Sequence, residues 1–478
     1  MTRATARPGA LVPVLVSLGL VVAMISSLGA PLVAPIARTY EVPLSYAQWS
    51  LTITLLVGAL ATPVIGCLGD GPHRRAVVLA VLALVVVGGA LAALPANPTL
   101  LLVGRGLQGL GLGLTPLAIA TARSVLVGER ARSTAAALSV TTVAGVGLGY
   151  PATGLITEVG GLHTAFWFAA ALSAIAFVAA WMTFPSSTNL PRRPLDVLGA
   201  ALLGVGLVAA LLVLTQGKAW GWSSRRLVLL VLIAVLALIA WTVWQLRAAS
   251  PLVNLRLARG RDATTAHVGA LLVSVANYLL MASVARFVQT PAEAGYGFDT
   301  TVAVAGLILV PFSGGGIVGA RLSRILERRA GARFVLPVGA LVVGLGLASF
   351  GVAHDDLWQI LLAMLVAGSG VGLAYAALPG LIGAAVPPDE TGSAMSLNQV
   401  LRYVGFSMGS ALCGAALAAA TPEGAALPDA AGYGWVVLVG VVLCVGTAVL
   451  TWLLPTRPQD RRGPLLHATA ARTRGGAG

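Results

Sequence analysis

Charge is scarce in this chain. Only 10% of its 478 residues are Asp, Glu, Lys or Arg, against about a quarter in a soluble globular domain, which excludes a surface wetted on all sides. Lysine is nearly missing, with Lys218 standing alone among 30 basic residues, an Arg preference that points to a high-GC bacterial genome. Cysteine is sparse: Cys67, Cys413 and Cys444 lie far apart, which excludes a disulfide framework and a thiolate metal cluster. His73, His163, His267, His354 and His467 are scattered singly, so no metal site is expected. Long polar stretches are lacking too, and with them any hidden soluble domain. The glycines of 104–113 sit inside an apolar run with no strand before them, which argues against a dinucleotide loop. No cofactor is expected. A membrane enzyme would show acids and histidines clustered at the membrane face, and none are seen, so the chain does not read as an enzyme.

Apolar residues fill the space that charge leaves. They make up 58% of the chain, and the mean hydropathy is +0.92. Uncharged runs such as 10–37, 42–69, 133–157, 197–217, 300–320 and 357–388 are each long enough to cross a bilayer as a helix of about 20 residues. The pattern predicts fourteen membrane helices, near 10–35, 45–66, 76–94, 98–121, 134–157, 164–184, 195–215, 227–246, 263–285, 300–320, 334–353, 357–382, 394–420 and 433–454. The first run follows Arg3 and Arg7 but exceeds the h-region of a signal peptide, about 7–15 residues, and reads as a retained helix. Barrel strands are excluded, because the runs are too long and do not alternate polar with apolar.

With the N-terminus inside, most arginines fall in cytoplasmic segments: Arg74, Arg75, Arg123, Arg130, Arg132, Arg192, Arg193, Arg247, Arg256, Arg259, Arg261, the cluster 321–333 and the tail. Arg38, Lys218, Arg225 and Arg226 fall outside. The bias places both termini in the cytoplasm. It also accounts for the net charge of +14 without nucleic acid, since the excess is spread over many loops.

An internal echo runs through the helices. LLVGRGLQGLGLGL (101–114) lies over LLAMLVAGSGVGLA (361–374) at an offset of 259 for the glycines, pairing Gly109, Gly111 and Gly113 with Gly368, Gly370 and Gly372. Glu129 and Ser133 likewise echo Glu390 and Ser393. The expected organisation is an N-terminal six-helix bundle (1–190), two inserted helices with linkers (191–262), a C-terminal six-helix bundle (263–456) and a basic cytoplasmic tail (457–478).

GCLGDGPHRR (66–75) resembles the signature between helices two and three of the major facilitator superfamily. Gly66, Leu68, Asp70, Arg74 and Arg75 match, while Gly71 and His73 depart from it. LLVGRGLQG adds the helix-four arginine, Arg105, with Gln108 and Gly109. GVGLGYPATG (145–154) is similar to the helix-five antiporter element, with Tyr150 between Gly149 and Pro151, and Gly154 after them. LDVLG (195–199), GKAWGW (217–222), PLVNLRL (251–257) and VQTPAEAGYG (288–297) are similar to the fourteen-helix drug:proton antiporter branch. The resemblance implies an all-α integral membrane protein with the major facilitator fold: two pseudo-symmetric six-helix bundles plus two inserted helices. It implies proton-driven export of a drug, antibiotic or secondary metabolite from a bacterial cell, through the inner membrane, by a monomer. An uptake carrier or uncoupled facilitator is the alternative.

The same arrangement would set Asp70 against the start of a helix near PPDETGS (387–393), as an ionic latch helped by Arg74 and Arg75. Arg105, buried in helix four, either biases a nearby acid that carries the proton or bonds to helix carbonyls. Gly149, Pro151 and Gly154 would let helix five bend, and Glu158 at its outer end could meet Arg105 or water. Arg286 reads as snorkelling to the interface, and Arg402 as lining the pathway. Trp49, Gln108, Tyr150, Asn277, Tyr278, Tyr375, Asn398 and Tyr403 are the candidate substrate contacts. The helix-one aspartate usual in that branch is missing, with Ser26 and Ser27 near its place. No acid lies at mid-membrane depth, which favours a neutral, weakly acidic or amphiphilic substrate over a cation.

Overall fold

The computed structural model describes residues 8–454 except 43, 95–96, 186–193, 222, 259, 388–389 and 423–427. Arg3, Arg7, Arg192, Arg193, Arg259, His467 and the tail 457–478 therefore lie outside the described residues, as do the side chains of Ser26, Ser27 and Lys218. Among the described residues every regular element is helical. The chain starts with α1 (Pro8–Ser27) and α2 (Gly29–Thr39), followed by α3 (Leu44–Gly69) and α4 (Arg74–Ala93). Helix α5 (Pro98–Gly109) runs through a 3-10 turn (Leu110–Gly113) into α6 (Leu114–Val125). Then come α7 (Gly128–Thr183), α8 (Val197–Trp220), α9 (Arg225–Arg247) and the short α10 (Leu255–Ala258). The rest comprises α11 (Arg261–Gln289), α12 (Val302–Leu307), α13 (Leu309–Ala330), α14 (Val335–Val352), α15 (Leu357–Ala385), α16 (Thr391–Ala419) and α17 (Ala430–Leu453).

Among the described residues, twelve helices are long and apolar enough to cross a membrane. Fourteen crossings are compatible with that number. Leu11–Ile25 is a further, shorter apolar helix, and α7 holds two segments joined at Gly161, whose φ of 78° and ψ of −179° interrupt the helix. Only glycine enters that region without steric cost, so Gly161 turns the chain back where a continuous helix would overrun the bilayer.

Local chemistry fixes where helices begin. Asn97 accepts the Leu100 amide at 2.8 Å with Pro98 in the first turn, a start signal of the usual kind. Asp356 and Gln359 form a capping box at α15. Asp196 caps α8 through the Gly199 amide at 2.8 Å, and also accepts from Trp244 Nε1 at 2.9 Å, Gln245 Nε2 at 2.9 Å and the Leu252 amide at 3.3 Å. One carboxylate thus joins the LDVLG segment to α9 and to the PLVNLRL linker, holding α8 and α9 as a hairpin.

The helices pack in two sets that share one continuous hydrophobic core. In the first, α4 and α5 pack together, α5 also lies on α3, and α1 and α4 both pack on α7. In the second, α13 and α14 both pack on α15, α11 on α16, and α14 on α17. The glycine echo reappears as geometry. A Cβ on Gly109 would strike the Thr54 carbonyl of α3, and one on Gly368 the Phe312 carbonyl of α13. Gly111 abuts Val85 of α4, while Gly370 abuts Val343 of α14. Helix α8 touches both α3 and α16, and α7 runs beside α12, α13 and α15.

These glycines should be intolerant of side chains. Gly109→Val and Gly368→Val are each expected to cost about 1–3 kcal/mol through overpacking. Gly446→Val, where nothing lies within 4 Å, should change stability by less than about 0.5 kcal/mol. Thermal unfolding of the detergent-purified protein checks this, and equal midpoints for all three variants would contradict the interlock.

Candidate functional site

Helix α3 ends at Gly69, and the next residue, Asp70, is 1% exposed. Its carboxylate accepts the amides of Gly392 and Ser393 and the Ser393 hydroxyl, each at 2.9 Å. Those amides belong to the first turn of α16, where N–H groups lack helical partners and the helix dipole is positive. Asp70 thus caps a helix 322 residues away along the chain. Two glycines permit the approach: a Cβ on Gly66 would meet Ser396, and one on Gly392 would meet the Asp70 carboxylate itself. Burial pushes the Asp70 carboxyl up from 3.8 to about 6, against the pull of the Ser393 bonds, the Arg74 charge and the Gly392 amide.

The adjacent arginines do not cross to α16. Arg74 donates to the Gly69 carbonyl and to Ser124 Oγ, both at 2.7 Å, and Arg75 to the Trp181 carbonyl at 2.6 Å. The expected latch of three charges is therefore one carboxylate clasp with two arginines bracing its own side. Leu68 is exposed. At the matching place in the second set of helices, Arg328 at the end of α13 reaches Glu129 at the start of α7 at 3.5 Å, with both side chains mostly exposed, a pair of little energetic weight. Arg123 adds a bond across the same end, from Nη1 to the Pro379 carbonyl.

Arg105 is fully buried. It donates from Nε to the Ser50 carbonyl at 3.1 Å, and from Nη1 to the Ile25 carbonyl at 3.2 Å and Gln108 Oε1 at 2.7 Å. These partners are neutral, so the reading of Arg105 as electrostatic bias on a nearby acid gives way to the carbonyl-bound arginine that was its alternative. Gln108 belongs to this cluster, not to a substrate face. Glu158 is exposed and does not reach Arg105.

Farther along the first segment of α7, Gly147 lies against Ser313 of α13, a Cβ on Gly154 would come to 3.4 Å from Ala303 of α12, and Gly306 faces Tyr150 and Pro151. The helices meet at both ends of this seam. Gly149 lines a cavity of about 10 Å³ between α1 and α7, room for about one water.

The remaining substrate candidates divide. Tyr278 and Phe406 rings lie 5.7 Å apart, and Tyr403 lies 6.4 Å from Phe406. Tyr375 bonds Ser274 at 2.6 Å and supports the guanidinium of Arg402, 3.7 Å above its ring. Asn277 Oδ1 is buried without a partner. Asn398 donates to the Ala266 carbonyl at 3.1 Å beside His267, and so is spent on packing. Trp49 is half-buried. Arg286 is exposed at the end of α11. Phe406 and Gln399 carry no sequence signal beyond their place on α16.

A family profile described as Major Facilitator Superfamily matches residues 15–410, with an overlapping second match over 274–473. Multidrug resistance protein 3 of Bacillus subtilis is 25% identical over 373 residues, covering 76% of this chain and 71% of that relative. Multidrug resistance protein Stp of Mycobacterium tuberculosis is 26% identical over 380 residues, covering 78% and 68%. Among solved structures, a peptide transporter in complex with alafosfalin superposes with a TM-score of 0.62 at 16% identity, covering 95% of this chain and 97% of that one.

The Asp70 clasp makes a signed pH prediction. In water the carboxyl would titrate near 3.8, and in the clasp near 6, so the clasped form binds the proton more tightly. Clasping is favoured most below about 3.8, and the advantage is lost as pH rises through about 6. Accessibility of a Ser396→Cys probe to a polar maleimide, in a background lacking the native cysteines and taken relative to the rate of a free thiol at the same pH, should fall between pH 7 and pH 5. It should stay flat when Asp70→Asn is added. A flat wild-type response would overturn the assignment.

Proposed function

The chain belongs to the major facilitator superfamily, and from that membership we propose that it exports small hydrophobic or amphiphilic organic molecules across a bacterial cytoplasmic membrane by proton antiport. The observation that carries the reading is the capping of α16 by Asp70. A clasp joining the two sets of helices at one end is what alternating access needs: it holds while the site faces out and releases when it faces in. The arginine bias of the loops supports a cytoplasmic location for that end and for both termini. The likeness to two multidrug-resistance proteins supports this substrate class, and the chain is taken as a monomer.

Coupling is assigned to the clasp. A proton that reaches the buried Asp70 from the outward-facing site is released to the cytoplasm when opening returns the carboxyl to water, which completes one inward transfer. Each charge carried inward contributes about 2.3 kcal/mol per 100 mV. One observation favours a second reading, an uncoupled facilitator or uptake carrier: Arg105 meets only neutral groups, and Ser26 and Ser27 stand where the branch carries an acid.

Energised inverted vesicles decide between the two. Accumulation of a hydrophobic dye against its gradient, abolished by an uncoupler, is expected for the antiporter. Asp70→Asn is expected to slow it about tenfold at normal expression. Equilibration indifferent to the uncoupler would assign the facilitator instead.

A further inference from the structure

Arg402 lies roughly three turns into α16, is 1% exposed and faces the seam with α7. Only one of its nitrogens is engaged: Nη1 reaches the Ser139 carbonyl of α7 and Gln399 Oε1, both at 3.3 Å. Nε and Nη2 are buried with no acceptor. A guanidinium inside a membrane-spanning helix is costly to insert, and each buried donor without a partner adds to that cost. Unsatisfied groups of this kind ask for an explanation.

The two free donors share one edge of the guanidinium plane, the edge whose paired N–H groups take a carboxylate bidentately. Tyr375 fixes that plane from below at 3.7 Å and is itself held by Ser274 at 2.6 Å. Tyr403, the next residue of α16, and Phe406, one turn along it, hold their rings 6.4 Å apart, an aromatic pair on the same stretch of helix. Arg105 lacks this arrangement, since three bonds leave it a single free nitrogen, Nη2. We infer that Arg402 is an anion-recognition site, and that the transported molecules include amphiphilic organic acids whose carboxylate seats on its Nε–Nη2 edge. The inference rests on the transport reading and narrows its substrate class.

The test is binding to the purified full chain without a gradient, read as thermal stabilisation by three aryl carboxylates (2-naphthoate, 4-phenylbenzoate and 9-anthroate), their primary amides and the matching arylmethylamines. Wild type should be stabilised by the acids at concentrations at least tenfold below those the amides or amines require. Arg402→Gln should weaken the acids at least tenfold and leave the amides within twofold. Arg402→Lys, which keeps the charge but loses the planar edge, should fall between. Preference for amines or amides in wild type, no response to any acid, or full acid binding by Arg402→Gln overturns the inference. So does stabilisation by phosphatidylglycerol micelles that only Arg402→Gln abolishes, which would assign a lipid headgroup. The wild-type panel needs no variant to fold. Acid binding without movement of any compound in energised vesicles would sink the transport reading and leave the anion site standing.

Discussion

A buried carboxylate bound to the amides of a distant helix is the constraint on which the rest of this molecule depends. Removing Asp70 from water is costly, and three bonds to the start of α16 offset that cost only while α3 and α16 stay in register. Gly66 and Gly392 exist to permit the approach, and Arg74 is turned back on its own side to brace it. The closure is therefore conditional: it is satisfied in one arrangement of the helices and leaves a hydrated acid in any other. The exposed Arg328 and Glu129 pair holds the equivalent place with far less energy, so the two sides of this end are unequal.

Inside the membrane the balance of charge has one sign. Arg105 and Arg402 are both buried, and their partners are carbonyls, amides and a ring rather than carboxylates. Arg105 is tied into α1 and α3 and cements the first set of helices. Arg402 reaches across the seam and keeps two donors idle, a difference of satisfaction rather than depth. Two arginines of similar burial can thus do different work, one cementing helices and the other waiting for a partner.

Much of the fold was legible in the sequence, because uncharged runs of bilayer length leave few alternatives and the glycine echo implied matching packing. The target of Asp70 was legible for a related reason: a polar turn at 387–393 ahead of an apolar run marks a helix start, and helix starts attract carboxylates. The directions of Arg74 and Arg75 were not, since a loop arginine can reach either neighbour and only the backbone decides. The choice between the two readings of Arg105 was not legible, because two of its three partners are main-chain carbonyls, which every sequence contains. The Arg402 and Tyr375 stack joins two helices 27 positions apart with no spacing rule to reveal it. The two helices expected at 134–157 and 164–184 are the two segments of α7, and the break between them rests on the single dihedral of Gly161.

The 322 residues between Asp70 and its partner amide also set an order of events during biosynthesis. At ribosomal speeds of about 5–20 residues per second, Asp70 leaves the ribosome tens of seconds before α16 exists. Throughout that interval the nascent first bundle holds an unclaimed acid at its edge, exposed to water. Completion of the last helices is then what withdraws it, so a chain truncated before α16 would display a mark that the finished protein hides.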